Sequence, residues 1–374
     1  MPDFKKHHFV PQFYLRGFSL DASSVGSFQV RNRIFIPRAS IRGQCQRSFL
    51  YGKDSGVENI LGELETEIAP FLKELAKAKR FTWPSSSYVK LLTYLHFQIY
   101  RTPKSGEAMD AMATMLMREA FREGPGIPTE VSANIDRASL KSGNPTLHSM
   151  SLSAGMTPLL FDLEPRLLAN ESSVEFITSD CPVVKFNQWC QDIKFMGVTG
   201  LASRGLQIIF PINPRLLLLL FDPDTYSVGG RGSGILTVNS SFEVEGLNAL
   251  QLTGCENSIY FTGNSDTYES ICRMPMQWFE EAKKSVVFQT AKEDGSKHNK
   301  LFVYYDQIVG RLGIQSIKIR GNMRNVDEMT RGKMTRPLAE RYARELRGKA
   351  DLPDPSTLGN KRFSVVKTQR GFSG

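Results

Sequence analysis

The stretch LQIIFPINPRLLLLLF, residues 206–221, decides the fold class of this chain. It contains two short apolar runs, 206–212 and 215–221, on either side of the turn signal Asn213-Pro214. Runs of this length around a turn signal predict the two strands of a hairpin. The second run is the longest apolar stretch in the chain, and it is far shorter than the roughly 18 residues of a membrane span. We therefore expect a protein without a membrane segment, located in the cytoplasm.

Further strands are predicted on both sides of this hairpin. Short apolar runs bounded by turn residues predict strands at 174–178, 235–238, 258–261 and 301–305, with a helix at 242–252 between them. Near the N-terminus, apolar and polar residues alternate over 27–36, which predicts a strand or hairpin around Asn32. The second half of the chain is therefore expected to be rich in strands.

The first half shows helical spacing instead. Apolar residues recur every three to four positions from Val57 to Leu75, and Ser55 with Glu58 has the form of a capping box in front of them. Pro70 is expected to kink or split this helix. Further helices are predicted at 88–101, 107–123 and about 146–168. A helical layer over about 55–170 and a strand-rich part over about 174–310 predict an α+β fold with a mainly antiparallel sheet, forming one domain over 1–310.

Charge separates the last segment from this body. Residues 311–374 carry 15 Lys and Arg against 6 Asp and Glu, whereas residues 1–310 carry 32 of each kind, so the whole net charge of +9 lies in the last segment. A basic segment next to a neutral body is typical of binding to a phosphate backbone, and a solvated surface helix is the alternative. Within it, residues 337–348 have helix start and stop signals. The candidate nucleic-acid-binding residues are Arg331, Lys333, Arg336 and Arg341.

Cysteine usage excludes a disulfide framework. The five cysteines are an odd number with no C-x-x-C pair, so the sequence signals neither paired disulfides nor a zinc ribbon.

The crowded N-terminal string KKHHFVPQFYLRGF, residues 5–18, holds the first candidate site residues. His7 and His8 are two of only five histidines in the chain, and they lie where most domains fray. Two adjacent histidines in an aromatic segment indicate a terminus that is docked and used. We expect His8 to be the leading candidate for proton transfer, with His7 beside it.

Five polar positions elsewhere lie among apolar residues. Glu58 and Glu65 lie close together on the edge of the apolar stripe of the first long helix, and Glu58 has the capping box as its alternative role. Gln98 and Arg101 lie on one polar line of the 88–101 helix, where a buried guanidinium needs an anionic partner, with Glu65 the first choice. Asp180 follows a predicted strand in a turn, where turn initiation is the alternative role.

These positions fall within a pattern that resembles a known family. The chain is similar to the bacterial family catalogued as domain of unknown function 4238 over about residues 5–262. The resemblance is carried by His8-x-Val10-Pro11-x-x-Tyr14-Leu15-x-x-Phe18, Glu58, Glu65-Thr66, Arg101-Thr102-Pro103 and Ile177-Thr178-Ser179-Asp180-x-Pro182-Val183. Cys181 departs from the pattern, which often has Asn there. The resemblance implies no reaction and no substrate.

The residues themselves favour a nuclease or another phosphodiester hydrolase. In this hypothesis His8 is the general acid or base, and Glu65 and Asp180 are either a second acid-base pair or ligands of one divalent ion, Mg²⁺ or Mn²⁺. Arg101 would neutralise the phosphoryl oxygens. A role in bacterial defence or as a toxin would suit such an enzyme.

Two rival hypotheses use the same residues differently. The first is a non-enzymatic nucleic-acid-binding or regulatory protein, in which His, Glu and Arg form a buried structural network. The second is an enzyme for a small phosphorylated metabolite, which needs the site but not the basic segment.

Overall fold

The computed structural model describes residues 6–53, 55–80, 85–123, 126, 128–191, 198–283, 286–292, 299–305, 312, 314–323, 334–350 and 364–370. The α-helices are α1 (Gln12–Leu15), α2 (Gly56–Leu75), α3 (Ser85–Tyr100), α4 (Pro103–Glu123), α5 (Thr129–Asn134), α6 (Pro145–Ser153), α7 (Ser241–Gly254), α8 (Ser265–Arg273), α9 (Met276–Lys283) and α10 (Pro337–Ala350).

The strands of the first half and of the central region are β1 (Lys6–His8), β2 (Ser24–Gln29), β3 (Ile34–Ser40), β4 (Gln46–Ser48), β5 (Glu164–Asn170), β6 (Thr178–Ser179), β7 (Val184–Phe186), β8 (Gln207–Asn213) and β9 (Leu216–Phe221). The later strands are β10 (Tyr226–Val228), β11 (Ile235–Val238), β12 (Ser258–Phe261), β13 (Val286–Lys292), β14 (Asn299–Tyr305), β15 (Ile317–Ile319) and β16 (Ser364–Arg370).

The predicted hairpin forms the centre of a five-stranded sheet. Strands β8 and β9 pair antiparallel, and the sheet order is β11, β5, β9, β8, β7, with only the β11–β5 pair parallel. Every residue of β9 is buried. Both faces of this sheet are therefore covered, which is why β9 is a continuous apolar run and does not alternate with polar residues.

Helices cover each face of the sheet. On one face Phe210, Leu218 and Leu220 join a core with Leu15 of α1 and residues of α2 and α3. On the other face, Leu217 and Leu219 join a second core, which includes residues of α7. The N-terminal helices thus pack on the sheet from one side, and this contact brings α3 next to the docked N-terminal string.

A four-stranded antiparallel sheet, in the order β3, β2, β12, β6, contains the predicted N-terminal hairpin. Its apolar residues pack with α7 and α8 in a third core. The short strand β1 pairs antiparallel with β4, with His7 opposite Arg47. The predicted docking of residues 5–18 is therefore confirmed from Lys6 onward.

The α+β fold class is confirmed, with helices mainly in the first half and mostly antiparallel strands later. The predicted helix over 146–168 is wrong at its end. Helix α6 stops at Ser153, a 3-10 helix follows over Ala154–Leu160, and β5 begins at Glu164. Because β5 pairs with β9 and β11, Leu167 is buried in the core on one face of the sheet and Leu168 in the core on the other. This long-range pairing outweighs the helical spacing of the sequence.

Of the predicted strand at 174–178, only Thr178 lies in a strand, the two-residue β6. The backbone N–H groups of Glu175 and Ile177 donate to the side chains of Thr267 (2.9 Å) and Asn248 (3.0 Å), which belong to helices. Glu175 and Ile177 are therefore held by hydrogen bonds to helix side chains, not by pairing with a strand.

Two local predictions for α2 also need correction. Ser55 precedes the helix but its side chain makes no capping hydrogen bond, so the capping box of Ser55 and Glu58 does not form. The helix also continues through Pro70 to Leu75 as one element, so Pro70 does not split it. Pro70 is exposed, and packing of the opposite face, which includes Phe71 and Leu72, outweighs its local cost.

No helix in the described part of the chain is both long and apolar enough to cross a membrane.

Candidate functional site

The strongest polar cluster surrounds the buried end of α3. The side chain of Arg101 is 1% exposed, and its Nη1 donates to Glu65 Oε1 at 2.8 Å. Its Nε donates to the carbonyl of Phe9 at 2.9 Å, and its Nη2 to the carbonyl of His8 at 3.4 Å. The structure thus gives Arg101 the partner that the sequence suggested and adds two backbone carbonyls of the N-terminal string.

Gln98 and Tyr51 complete the anchoring of this string. Gln98 Nε2 donates to the same Phe9 carbonyl at 2.8 Å, while the Tyr51 hydroxyl donates to the carbonyl of Arg101 at 3.2 Å. The N–H of Phe9 donates to the carbonyl of Cys45 at 2.9 Å. The extended string between β1 and α1 is therefore held from both sides, which explains why an N-terminal segment is ordered.

The two adjacent histidines point to different surroundings because successive side chains of a strand alternate between its faces. His7 is 2% exposed, its ring stacks on Tyr51 with centroids 5.4 Å apart, and its Nδ1 accepts the Tyr51 backbone N–H at 3.2 Å. The neutral ring of His7 therefore carries its proton on Nε2. His8 is half-buried, and its Nε2 donates to the carbonyl of Arg42 at 3.2 Å. It is the His8 backbone, not its ring, that meets Arg101.

Glu58 is the most unusual carboxylate of this group. It is half-buried, and its Oε2 is buried without a hydrogen-bond partner among the residues that the structure describes. Burial raises the pKa of Glu58, and the nearby Glu65 acts in the same direction, while His7 and Arg101 oppose the rise. We call His7, Tyr51, Glu58, Glu65 and Arg101 the His7 cluster.

Two more polar atoms beside this cluster lack partners within the described part of the chain. They are Gln98 Oε1 and the hydroxyl of Tyr94, both on α3 and both buried. Burial raises the pKa of the Tyr94 hydroxyl. The charge of Glu65 acts in the same direction, while the charge of Arg101 opposes the rise. Three unsatisfied atoms around one ion pair are an unusual concentration, because buried polar atoms are nearly always hydrogen-bonded.

Asp180 lies in a different environment. Its Oδ1 accepts the backbone N–H of Glu256 at 2.7 Å, and its Oδ2 accepts those of Asn257 and Ser258 at 2.8 Å each. Burial raises the pKa of Asp180, and these N–H groups and Lys104 oppose the rise. Both carboxylate oxygens are thus engaged in holding the turn before β12, a structural contact that differs from the initiation of its own turn, which the sequence offered as the alternative role of Asp180.

The four motif segments nevertheless meet in space. The hydroxyl of Tyr14 donates to the carbonyl of Pro211 at 2.6 Å and lies 2.7 Å from Thr178 Oγ1. Thr102, which follows Arg101, hydrogen-bonds the thiol of Cys181. Residues 101–103 thus connect the His7 cluster, to which Arg101 belongs, with the segment that contains Asp180.

The basic residues expected to bind nucleic acid are placed unevenly. Arg331 and Lys333 lie outside the described residues, and Arg341 is exposed on α10. Arg336 is instead 1% exposed: its Nε donates to both carboxylate oxygens of Asp162 at 3.0 Å, and its Nη1 donates to the carbonyl of Ser203 at 3.1 Å. Arg336 was expected to bind a phosphate backbone. Its guanidinium is instead buried and its donors are used by protein acceptors, so this expectation is wrong.

Sequence reasoning missed Tyr51 and Tyr14 as parts of the site. Tyr14 had a signal, since it lies inside the N-terminal motif. Tyr51 had none, because it lies in a turn between β4 and α2, outside any periodic pattern.

Among the residues described, no three His, Cys, Asp or Glu side chains stand close enough to hold a metal ion.

Comparison with known proteins identifies the family of this chain. The model of the family described as protein of unknown function (DUF4238) matches residues 6–265, more than two thirds of the chain. The chain belongs to this family, and the His7 cluster and the Asp180 turn both fall within the matched region. No curated protein and no solved structure matches the chain.

Proposed function

We propose that this protein is a hydrolase acting on a phosphodiester bond, with Glu58 as general base and His7 as general acid. The observation that carries the proposal is Glu58 Oε2, a buried oxygen without a hydrogen-bond partner among the described residues, on a carboxyl whose pKa is raised by burial. A carboxylate with a raised pKa is a stronger base, and it works closer to neutral pH than an ordinary glutamate.

Glu58 Oε2 has no partner among the described residues with which an attacking water would have to compete. A water that enters beside Glu58 can direct one hydrogen to Oε2, which takes the proton that is lost, and its other hydrogen to a second acceptor. The water oxygen forms the new bond to phosphorus while the bond to the leaving oxygen breaks, and Glu58 receives the water proton. His7 gives its Nε2 proton to the leaving oxygen from the imidazolium form, in which Nδ1 no longer accepts the Tyr51 N–H. Arg101 and Glu65 act as positioning residues, since they hold the backbone of the string that carries His7.

The charge distribution supports nucleic acid as the substrate. The surplus of basic residues in 311–374 would attract a phosphate backbone, with Arg341 on the exposed side of α10. We also propose that the protein acts in the cytoplasm, in bacterial defence or as a toxin. Glu65, paired with Arg101, and Asp180, bonded to three backbone N–H groups, do not fit the expected Mg²⁺ or Mn²⁺ site, so the proposed step uses no metal ion.

The test is cleavage of end-labelled RNA and DNA, single-stranded and duplex, with Mg²⁺, Mn²⁺ or EDTA. Glu58→Gln and His7→Ala should each lower the cleavage rate by about 100-fold or more. Glu63→Gln is the matched control, because Glu63 is an exposed glutamate on the same helix. Equal rates for Glu58→Gln and Glu63→Gln would reject Glu58 as the base.

Thermal melting separates catalysis from structure. The fold raises the pKa of Glu58, so ionised Glu58 lowers stability as pH rises through the folded pKa. Glu58→Gln should therefore melt at the same or a higher temperature at pH 7 while it loses activity. A clear fall in melting temperature would assign Glu58 to structure.

The rival function, a non-enzymatic nucleic-acid-binding or regulatory protein, has its own observation. Arg101 and Asp180 are buried and hydrogen-bonded on several sides, as in a structural network. Under this proposal the wild-type protein shifts nucleic acid in a gel without cleaving it under any metal condition, and Glu58→Gln binds as tightly as the wild type.

A further inference from the structure

A second candidate site lies between α7, α8 and α9 and shares no residue with the His7 cluster. It is a cavity of about 200 Å³. Ala249, Ser270 and Met274, all nearly fully buried, line its inner part, and Trp278 lines another wall. Phe242, whose ring is 63% exposed, lies at the outer part. The lining is thus mainly apolar and aromatic, with one buried hydroxyl and the charged side chains of Glu245 and Arg273.

That hydroxyl has no partner. Ser270 is 2% exposed, and its Oγ is buried without a hydrogen-bond partner in the described part of the chain. A serine inside a helix usually bonds the carbonyl one turn earlier, and a buried hydroxyl left unpaired is unfavourable. A molecule in the cavity can bond this hydroxyl if the Ser270 side chain rotates toward it, and this rotation breaks no hydrogen bond to a described residue.

The charges at the cavity disfavour an ionic ligand. Arg273 lines the cavity, but its Nη2 donates to Glu245 at 3.2 Å and its Nη1 lies 3.7 Å from Glu269. A ligand carboxylate would have to compete with these two carboxylates. A ligand cation would have to compete with Arg273 for the same carboxylates. An uncharged ligand meets neither cost.

We propose that this cavity binds a small uncharged aromatic molecule with one hydroxyl or N–H group, of the size of phenol or indole. A dry engineered cavity of about 150 Å³ accepts benzene, so about 200 Å³ suits one substituted ring or a fused pair. The ring packs between Trp278 and Met274, and the polar group bonds Ser270 Oγ. Offset aromatic stacking and contact with the Met274 sulfur both favour this pose.

The test compares phenol with toluene, which has nearly the same shape but no hydroxyl. Saturation-transfer NMR and calorimetry on the full chain should show phenol bound about 5-fold more tightly than toluene, as expected for one hydrogen bond. Ser270→Ala should abolish this preference and keep toluene binding. Ser227→Ala, an exposed serine on β10, is the control and should keep it.

A second variant tests the location. Ala249→Leu fills the inner part of the cavity and should abolish binding of both ligands, with circular dichroism used to confirm the fold. Absence of saturation transfer to phenol and indole in the wild type at millimolar concentration would overturn the proposal. A phenol preference that persists in Ser270→Ala would overturn it as well. Because the cavity is separate from the His7 cluster, either result leaves the proposed hydrolase untouched.

Discussion

Arg101 and Glu58 lie in one cluster but differ in how their hydrogen-bonding capacity is used. All three guanidinium nitrogens of Arg101 donate to protein acceptors, and two of those acceptors are backbone carbonyls. Glu58 keeps one buried oxygen unpaired. At the scale of single residues, the hydrogen bonds of Arg101 stabilise the fold, whereas Glu58 Oε2 is left without a protein partner.

The ion pair of Arg101 with Glu65 can be measured by a double-mutant cycle in urea. Arg101→Ala should lower the free energy of unfolding by about 3 to 5 kcal/mol, because it leaves Glu65 without its cation and removes a donor to the carbonyls of His8 and Phe9. Glu65→Ala should cost about 1 to 3 kcal/mol, since Glu65 is 25% exposed and water can partly replace it. The double mutant should cost clearly less than the sum.

The chain offers a matched control for this cycle. Lys90 and Glu67 form an ion pair of 2.9 Å between the same two helices, but both side chains are 54% exposed. Their coupling energy should be about 1 kcal/mol or less. Equal coupling in the two cycles would mean that burial does not strengthen the pair of Arg101 with Glu65.

At the scale of elements, α1 shows how tertiary contacts stabilise a helix that cannot form alone. It has four residues, fewer than an isolated helix needs. Tyr14 anchors it: the ring stacks on Phe210 with centroids 4.9 Å apart, and the hydroxyl reaches Thr178 and Pro211. This anchor connects the N-terminal string to both β6 and β8.

Tyr14→Phe should therefore destabilise the protein by about 1 to 2 kcal/mol, because the buried Thr178 hydroxyl and Pro211 carbonyl lose their partner. Hydrogen exchange should increase most in β1 and α1, which depend on this anchor. Tyr342→Phe is the control: its hydroxyl donates to the Gly155 carbonyl at 2.7 Å in an exposed place, so its loss should change stability by less than about 0.5 kcal/mol. Similar losses for the two variants would contradict the role of Tyr14.

At the scale of the whole molecule, the basic segment is attached to the body through one of its own charges. Arg336, at the start of α10, bonds Asp162 and the carbonyls of Leu159 and Ser203. Arg344 on the same helix pairs with Glu340 at 2.8 Å. Part of the positive charge is therefore used inside the protein, and the net charge overstates what can reach a phosphate.

Arg336 and Arg341 should consequently behave in opposite ways. Arg336→Gln should lower the free energy of unfolding by about 2 to 4 kcal/mol, since it leaves Asp162 and two carbonyls without their partner. Arg341→Gln should leave stability within about 0.5 kcal/mol. If α10 contacts nucleic acid, Arg341→Gln should also reduce the salt slope of binding by nearly one unit. A stable Arg336→Gln variant would show that this attachment is dispensable.

The sequence by itself determined the fold class, the central hairpin and most long helices. These features depend on local spacing and turn residues, so their signals lie within a few neighbouring positions. The pairing of Arg101 with Glu65 was also predictable, because a charge on a nearly all-apolar helix needs a partner.

Only the tertiary structure decided which motif residues share a site. It brought His7 rather than the His8 ring to Glu58, engaged Asp180 with the turn at 256–258, and buried Arg336 against Asp162. It also made a strand of Glu164–Asn170 within a region of helical spacing. Each outcome depends on contacts between residues far apart in the chain, whose packing and hydrogen bonds outweigh local preference and leave no trace in local spacing.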